Sequence, residues 1–459
     1  MATEDAARHA GASQQQLVRA IAASVVGTTI EWYDFFLYGT AAALVIGQLY
    51  FPKQNALTGT LLAFATYFGG FAARPVGAAI FGHYGDRVGR KFTLIVTLSL
   101  MGIATFLIGL VPTYAAIGIS GAIILTILRV IQGIGVGGEW GGSVLLAIEW
   151  GHRGGRRGLI GSAPQWGVPA GLVLSIGLEA LMRVIAGPQG FLQWGWRVPF
   201  LLSILLVAVG LWIRLGILET PVFSGVRQRA RIEPQPVREV WKLHWNEVVL
   251  TALARTGQQA PFYIFVTFVI TYGIRTLHFS SQQMLNYVLI SSVISLFTIP
   301  FWGWVSDRFG RARTMLAGAV AMVVFSFPYF ILLDTKIAGV VALAIAISLP
   351  IHDMQYGPLA ALTAEAFTGR VRYSGSSLGY QLASITSGGP APLIATALLE
   401  AFHSSIPIAA YMVLCAIVSI VALLLLSDGS RRDMSVEYED QAEEAAAGTP
   451  IPTEPRPAG

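Results

Sequence analysis

The chain has 459 residues, of which 54% are hydrophobic and 12% are charged, with a formal net charge of +5. Soluble domains carry roughly 25% charged residues, so this composition argues against a soluble enzyme and indicates a membrane protein. The positive charge is therefore interpreted as a topology signal rather than as nucleic-acid binding, and the single cysteine, Cys415, excludes an internal disulfide.

Apolar stretches of about 20 residues recur along the chain, the length that a helix needs to cross a bilayer. Residues 1–19 are polar and are expected to form an N-terminal tail. The first apolar stretch is too long to be the core of a cleavable signal peptide. Twelve spans are predicted, at residues 20–46, 57–81, 92–111, 115–148, 158–184, 197–217, 246–273, 284–306, 313–333, 338–363, 373–400 and 406–427.

A polar stretch, 218–245, divides the spans into two six-helix halves, 20–217 and 246–427. The segment 428–459 is acidic and then proline-rich, a composition that cannot bury a core, so we expect it to be disordered. Lysine and arginine concentrate in loops on one side, and the positive-inside rule places both termini and the central loop in the cytoplasm. The expected fold is an all-α membrane protein with twelve transmembrane helices in two pseudo-symmetric halves, in the cell (inner) membrane.

Two loops at corresponding positions of the halves share one pattern. "GHYGDRVGRK" (82–91) follows the second span, "GWVSDRFGRAR" (303–313) follows the eighth, and both read G-x-x-x-D-R-x-G-R. The glycines permit tight turns, and the aspartates can pair with arginine or cap a helix N-terminus. A glutamate followed by basic residues also recurs after the fourth and tenth spans.

The repeated signals indicate a duplicated bundle with a substrate pathway between its halves. They predict breakable ion pairs that hold the cytoplasmic side closed; the alternative is that the basic loops only fix the orientation. The residues of this predicted latch are Gly82, Asp86, Arg87, Gly89, Arg90, Glu149, Arg157, Asp307, Arg308, Gly310, Arg311, Glu365 and Arg372.

The paired loops resemble those of the major facilitator superfamily, and "LRVIQGIGVGGEWGG" (128–142) resembles its fourth-helix signature. Within the superfamily, "EWYDFFLYG" (31–39) and "RYSGSSLGYQLAS" (372–384) are similar to the metabolite/proton symporter family. That family carries organic acids, shikimate, proline and betaines. The resemblance extends from the first span to the eleventh and implies the major facilitator fold, but it does not specify the substrate.

Several charged residues fall inside predicted spans, where a charge costs about 2.5–3.5 kcal/mol and needs a partner, water or a function. Glu31, Asp34 and Tyr38 share one helix face by their spacing and are expected to face the bundle interior. The resemblance implies that Asp34 works with Arg129 in proton coupling; a static ion pair is the alternative. Glu31 is predicted to share the coupling proton, with a packing or hydrogen-bonding role as the alternative, and Tyr38 is predicted to contact the substrate. Glu139, in the fourth span, is predicted to be either a proton relay or a residue of the latch or of helix pairing.

The seventh span places Arg255, Gln258 and Tyr263 roughly on one side, an arrangement that favours binding of a carboxylate. The alternative is a patch of interhelical hydrogen bonds. Arg74, about two turns inside the cytoplasmic end of the second span, is predicted to bind an anion or to pair with an acidic residue; the alternative is that it extends to the membrane interface.

"LPIHDMQYGP" (349–358) places His352 and Asp353 between prolines. We predict a broken helix there whose backbone groups reach the substrate, with His352 and Asp353 in the substrate site and His352 as a proton relay; a hydrogen-bonded core histidine is the alternative. No histidine, cysteine and glutamate cluster has metal-ligand spacing, so no metal is expected.

The predicted function is secondary active import of a small organic carboxylate with protons, by alternating access. The proton gradient would supply the energy without a cofactor, since no nucleotide-binding motif is present. The partners expected are the carboxylate, protons and the lipid bilayer, with no nucleic acid, for a monomer. The alternative is a proton-coupled exporter of metabolites or drugs, although the fifth span lacks the signature of drug antiporters.

Overall fold

A computed structural model describes residues 2–54, 56–151, 156–216, 235–367 and 371–426, and throughout these ranges the structure is helical without β-strands. The segment expected to be disordered, 428–459, lies outside the described residues. Most of the central loop and the side chain of Glu149 also lie outside them. The predictions made for those parts therefore stay predictions.

Six long helices form the first half. α1 spans Ala2–Ala41 and continues through a π-helical turn, Ala42–Ile46, into Gly47–Tyr50. The other helices of this half are α2, Ala56–Arg87; α3, Arg90–Leu110; α4, Ser120–Gly151; α5, Arg157–Gly190; and α6, Arg197–Leu215. A second π-helical turn, Phe191–Gly195, joins α5 to α6.

Six helices form the second half, preceded by a short helix, Pro236–Leu243. α7 spans Trp245–Tyr263 and continues through Ile264–Phe268 into Val269–Arg275. The remaining bounds are α8, Ser281–Phe309; α9, Arg311–Asp334; α10, Ala338–Glu365; α11, Arg372–Ala383 with its continuations Ser384–Gly388 and Ala391–Phe402; and α12, Ile406–Leu425. π-helical turns interrupt both α7 and α11, and such turns are frequent at functional sites.

The structure differs from two predictions about the helices, the start of α1 and a break in α10. α1 begins at Ala2 rather than near residue 20, because the alanine- and glutamine-containing segment before it consists largely of good helix formers. The predicted break around His352 is wrong, since α10 is continuous through Pro350 and Pro358. Prolines are tolerated inside membrane helices because neighbouring groups satisfy the freed backbone.

Glycines bring α2 and α4 into backbone contact. A Cβ atom on Gly77 would clash with the carbonyl group of Ile134, and one on Gly137 would clash with the carbonyl oxygen of Arg74. Small residues at such spacings let membrane helices approach closely and pack by van der Waals contact. The two helices are therefore held together as one rigid pair.

The halves meet mainly through two sets of helices. α5 packs against α8 and α10, and α11 packs against α2 and α4. We call the end of the molecule that contains residues 82–91 and 303–313 the repeat-loop end, and the other the opposite end. This pairing encloses the residues that the sequence singles out within the spans.

Nine of the described helices are long and apolar enough to cross a membrane. The other three long helices are α1, α2 and α7, which carry Glu31 and Asp34, Arg74, and Arg255. Buried charges are not confined to these three helices, since α4 carries Arg129 and Glu139 and α10 carries Asp353.

Candidate functional site

Arg74 lies at the centre of the molecule, fully buried on α2. Its guanidinium carbon lies 4.0 Å from the ring centroid of Phe35, 4.5 Å from that of Phe71 and 5.6 Å from that of Trp32. None of its three guanidinium nitrogens has a hydrogen-bond partner among the described residues. The side chain therefore points into the protein rather than to the membrane interface, and its donors are available.

Arg255 reaches the same region from α7 and is 1% exposed. It donates from Nη1 to the carbonyl oxygen of Tyr380 on α11, and its guanidinium carbon lies 3.2 Å from the centroid of that ring. Tyr380 in turn stacks on Trp140 of the first half at 3.5 Å between centroids. Arg255 is thus anchored at the interface between the halves, while its Nε lacks a partner among the described residues.

Two further groups complete this constellation. The buried hydroxyl of Tyr263 and the Oε2 atom of Glu31 have no hydrogen-bond partner within the described ranges. Tyr263 packs its ring against Phe71 at 5.0 Å and lies within electrostatic reach of both arginines. Glu31 also lies within reach of both. We call Arg74, Arg255 and Tyr263 the anion site, because their donors are candidates for anion binding; the Glu31 carboxylate lies beside it.

A second constellation lies inside the first half. Arg129 of α4 donates from Nη1 to Gln132, whose amide donates to Thr105 of α3 at 2.6 Å. The Arg129 guanidinium lies 4.2 Å from the ring centroid of Tyr38, whose hydroxyl is 2.7 Å from that of Thr66.

Asp34 of α1 faces these groups and is fully buried. Neither of its oxygens has a hydrogen-bond partner in the described part of the chain. Asp34 and Arg129 are therefore near each other without the direct ion pair that the static alternative requires. We call Asp34, Arg129, Gln132 and Thr105 the proton site, because these residues are the candidates for proton coupling.

Phe35 connects the two sites. Its ring centroid lies 4.0 Å from the guanidinium carbon of Arg74 and 4.9 Å from that of Arg129. Cations over an aromatic face are attracted by about 0.5–2 kcal/mol, the larger value applying when water is excluded. One ring thus stabilises two buried cations without neutralising either.

Glu139 forms a different kind of contact. Both of its oxygens interact with Arg214 of α6, one accepting from Nη1 at 3.0 Å. It also accepts from Thr97 at 2.8 Å and from Ser143 at 3.2 Å. This arrangement corresponds to the helix-pairing alternative, because a carboxylate with every oxygen engaged by its own half braces that half.

His352 and Asp353 are brought together with Gln258. Asp353 accepts from Ser295 of α8 at 2.7 Å and from Thr298, and its other oxygen lies 2.8 Å from Nδ1 of His352. The Nε2 atom of His352 is bonded to the amide of Gln258. Asp353 therefore orients the histidine, and the Gln258 Oε1 atom, without a partner among the described residues, is the open end of this chain.

The predicted latch residues lie at the repeat-loop end, where two aspartates cap helices of the opposite half. Asp86 of α2 accepts from the backbone N–H of Ser374 at 3.0 Å and of Tyr373 at 3.3 Å, in the first turn of α11. Asp307 of α8 accepts from the backbone N–H of Gly158 at 2.8 Å and of Leu159 at 2.9 Å, in the first turn of α5. A carboxylate at a helix N-terminus satisfies free N–H groups and the helix dipole together.

Arginines support both aspartates. Arg90 lies 3.6 Å from Asp86, and Arg311 lies 2.9 Å from Asp307. Glu365 of α10 lies 3.7 Å from Arg311 and 3.7 Å from Arg157 of the other half.

The remaining predicted residues of the latch have other roles. Gly82 of α2 packs against Ser374 of α11, a further contact between the halves. Arg372 donates to the carbonyl oxygen of Phe367 at 3.1 Å, within its own half. Gly89 and Gly310 directly precede α3 and α9 with φ of 129° and 96°, a conformation that favours glycine. Arg87 lies near His83 and Arg308 over Trp304, each within its own half.

At the opposite end, Arg275 of α7 donates to Thr60 of α2 at 2.5 Å. A cavity of about 360 Å³ opens beside this contact, lined by α1, α2 and α7.

Sequence reasoning missed several residues of these sites. Arg214 and Glu179 are buried charges within predicted spans, so the signal used for Arg74 would have found them. Tyr380 and Phe35 carried no such signal, because aromatic residues in apolar spans are most often packing residues.

Comparison with known proteins identifies the class. Residues 24–391 match the family model described as Major Facilitator Superfamily. The chain therefore belongs to the major facilitator superfamily: it is a multi-pass membrane transporter and not an enzyme. The resemblance and the twelve-helix fold expected from the sequence are confirmed.

The chain is similar in sequence to two named bacterial transporters and in structure to a solved symporter. The shikimate transporter of Escherichia coli is 39% identical over 90% of this chain and 95% of that protein. The proline/betaine transporter of Salmonella typhimurium is 30% identical over 91% of this chain and 85% of that protein. The solved proton:xylose symporter XylE bound to 6-bromo-6-deoxy-D-glucose aligns with a TM-score of 0.70 at 16% identity, covering 90% and 95% of the two chains. This structural similarity shows the shared fold.

Proposed function

We propose that the protein imports a small organic acid together with protons by alternating access. The proton gradient drives the cycle and no cofactor takes part. The repeat-loop end faces the cytoplasm, as do both termini, and the protein works as a monomer in the inner membrane. The observation that carries this proposal is that Arg74 is buried while its three guanidinium nitrogens have no hydrogen-bond partner among the described residues.

A buried guanidinium with three unpartnered nitrogens is costly unless an anion joins it. The aromatic rings around Arg74 attract the cation but leave its charge and its planar donor fork available. A carboxylate can accept two parallel hydrogen bonds from that fork. Tyr263 and Arg255 lie beside it and supply further donors.

The cargo that fits best is a cyclic carboxylate. The anion site is bordered by the aromatic rings of Trp32, Phe71 and Phe262, which offer flat apolar surfaces. Gln258 presents an unpartnered amide oxygen nearby, suited to a hydroxyl of the substrate. The identity to the shikimate transporter supports this choice.

Coupling follows from the shared Phe35 ring. A proton on Asp34 removes the negative charge that faces Arg129, and a carboxylate on Arg74 adds one on the other side of the ring. The loaded centre then carries the same net charge as the empty centre, which lowers the cost of closing it away from water. The reciprocal caps at the repeat-loop end then release, and substrate and proton leave together.

The test is acidification of the lumen of liposomes that contain the purified protein and an internal pH dye. Shikimate and other organic acids, proline and betaine are added under an inward-negative potential. We expect acidification with a cyclic carboxylate, its loss in Asp34→Asn, and loss of saturable uptake in Arg74→Ala. Arg74→Lys should weaken binding, because lysine keeps the charge without the planar fork.

Arg238→Ala is the matched control, since Arg238 is an exposed arginine on the short helix before α7. Its uptake should equal that of the unmodified protein. Undiminished saturable uptake by Arg74→Ala would remove Arg74 from the site. Substrate uptake without proton movement, or outward movement alone, would overturn proton-coupled import.

A further inference from the structure

A third buried carboxylate lies apart from both sites. Glu179 of α5 is 1% exposed, and its Oε2 atom has no hydrogen-bond partner among the described residues. It faces α1, where the hydroxyl of Thr40 is within reach, and that hydroxyl also donates to the carbonyl oxygen of Phe36 at 3.1 Å.

The height of Glu179 in the bundle follows from helix geometry. A Cβ on Gly171 of α5 would lie 2.6 Å from the backbone nitrogen of Tyr33, so these residues are level, and Asp34 is the next residue. Glu179 follows Gly171 by eight residues, about 12 Å along the axis at 1.5 Å per residue. α5 runs away from the repeat-loop end, so Glu179 lies between Asp34 and the opposite end.

Among the described residues, Tyr33 and Arg183 are the titratable groups within electrostatic reach of Glu179. On α1, Tyr33 lies within electrostatic reach of both Glu179 and Asp34, and its hydroxyl donates to the carbonyl oxygen of Pro199 at 2.6 Å. On α5 itself, Arg183 is the nearest cation, one turn closer to the opposite end, and it is partly exposed over the ring of Phe191.

Glu139 provides a comparison within the same half. Both of its oxygens interact with Arg214, and two hydroxyl groups donate to it, as expected of a carboxylate with a structural role. Glu179 has one partly exposed arginine in reach and a free oxygen. An intramembrane carboxylate without a fixed partner is by default a candidate for a functional role, and such carboxylates form proton relays in pumps and transporters.

We propose that Glu179 is the proton-loading residue of the transporter, which takes protons from the opposite end and passes them to Asp34. This inference rests on the proposed proton symport. One proton from water binds the Glu179 carboxylate, and Arg183 assists by stabilising the ionised form between cycles. The proton then crosses the roughly 12 Å to the Asp34 carboxylate through intervening water molecules, because direct transfer requires hydrogen-bond contact or a single bridging water. Glu179 thereby returns to its ionised form.

The experiment compares two activities of Glu179→Gln in liposomes containing the full chain, with shikimate as the probe. Uphill uptake driven by a pH gradient requires proton loading, whereas exchange of labelled for unlabelled shikimate at equal pH requires no net proton movement. Uphill uptake should fall by about tenfold or more, the scale of losing a positioned proton-transfer group. Exchange should stay within about twofold, because the variant leaves the anion site intact.

Two further variants distinguish a proton-loading role of Glu179 from a structural one. Glu400→Gln removes an exposed carboxylate of α11 and should change neither activity. If Glu179→Gln loses both activities, Glu179→Asp must restore both, because it keeps a titrating group; failure to do so assigns Glu179 a structural role and overturns the proposal.

Other outcomes are equally decisive. Unchanged uphill uptake by Glu179→Gln between pH 5.5 and 8 would refute proton loading while leaving the proposed symport intact. Absence of substrate-driven proton movement in the unmodified protein would instead refute the symport and this inference with it.

Discussion

Removing the two capping aspartates should open the repeat-loop end in a predictable, additive way. Asp86 and Asp307 each accept two backbone N–H groups from a helix of the other half. Loss of an N-cap costs about 0.5–2 kcal/mol, and the charge near a helix terminus contributes up to about 2 kcal/mol in partly buried geometry. We take about 2 kcal/mol for each replacement by alanine, which is close to a thirtyfold change in an equilibrium constant.

The equilibrium can be measured by cysteine labelling. Cys415 is the only cysteine and is buried, so Cys415→Ser provides a background without thiols. Ser162→Cys then places a thiol where α5 packs on Gly303 of α8, a position that is fully buried between the halves. When opening is fast relative to labelling, the rate with a maleimide is proportional to the open fraction.

Asp86→Ala and Asp307→Ala should each raise the labelling rate about thirtyfold, since 1.4 kcal/mol corresponds to a factor of ten. The double variant should raise it by nearly a thousandfold, because both caps bias the same two-state equilibrium from separate places. Asp334→Ala is the matched control, since Asp334 binds Tyr272 and Ser405 of its own half. Unchanged labelling in both single variants, or a double variant no faster than either, would refute the reasoning.

Three further predictions concern the interior. Glu139→Gln should lower the free energy of unfolding by about 3–5 kcal/mol, because Arg214 is left as a buried charge without its partner. Denaturation in detergent measures this change. A stability equal to that of the unmodified protein would contradict the structural role of the pair. Gly77→Ala should destabilise the α2–α4 contact, whereas Gly177→Ala, whose new Cβ meets open space, should not; equal melting temperatures for the two variants would show that the close approach is unimportant. Phe35→Leu removes a cation–π contact from both Arg74 and Arg129, each contact worth about 0.5–2 kcal/mol. The variant should bind substrate more weakly and take up fewer protons per substrate. Calorimetry measures binding and the liposome assay measures proton uptake; a change in binding alone would contradict the link between the anion site and the proton site.

The fold was accessible from the sequence because its signals are periodic and repeated. Apolar stretches of spanning length predicted the helices, and the duplicated glycine and arginine loops predicted the two halves. The loop pattern also predicted two roles for Asp86 and Asp307, pairing with an arginine or capping the N-terminus of a helix. Which helix each aspartate would cap depends on how the halves pack, and no local pattern encodes that.

The candidate site was predicted less completely. Arg74 and Arg255 stood out because charge inside an apolar span is conspicuous, but their aromatic surroundings come from four separate helices. Glu139 shows the converse problem, since its residue type indicates chemistry while its partner Arg214 is distant in sequence. The break expected at Pro350 failed because proline geometry in a membrane helix is decided by its neighbours rather than by the residue alone.

The glycine contacts between α2 and α4 have a consequence for how such carriers diversify. These helices bear Arg74 and Arg129, so the proposed anchor for the cargo and the proposed partner of the proton carrier keep a fixed separation. The other half supplies Arg255, Gln258 and His352 across the interface. On the proposed mechanism, new cargo preferences can therefore arise by substitution in the second half, while the proton-coupling residues of the first half stay unchanged.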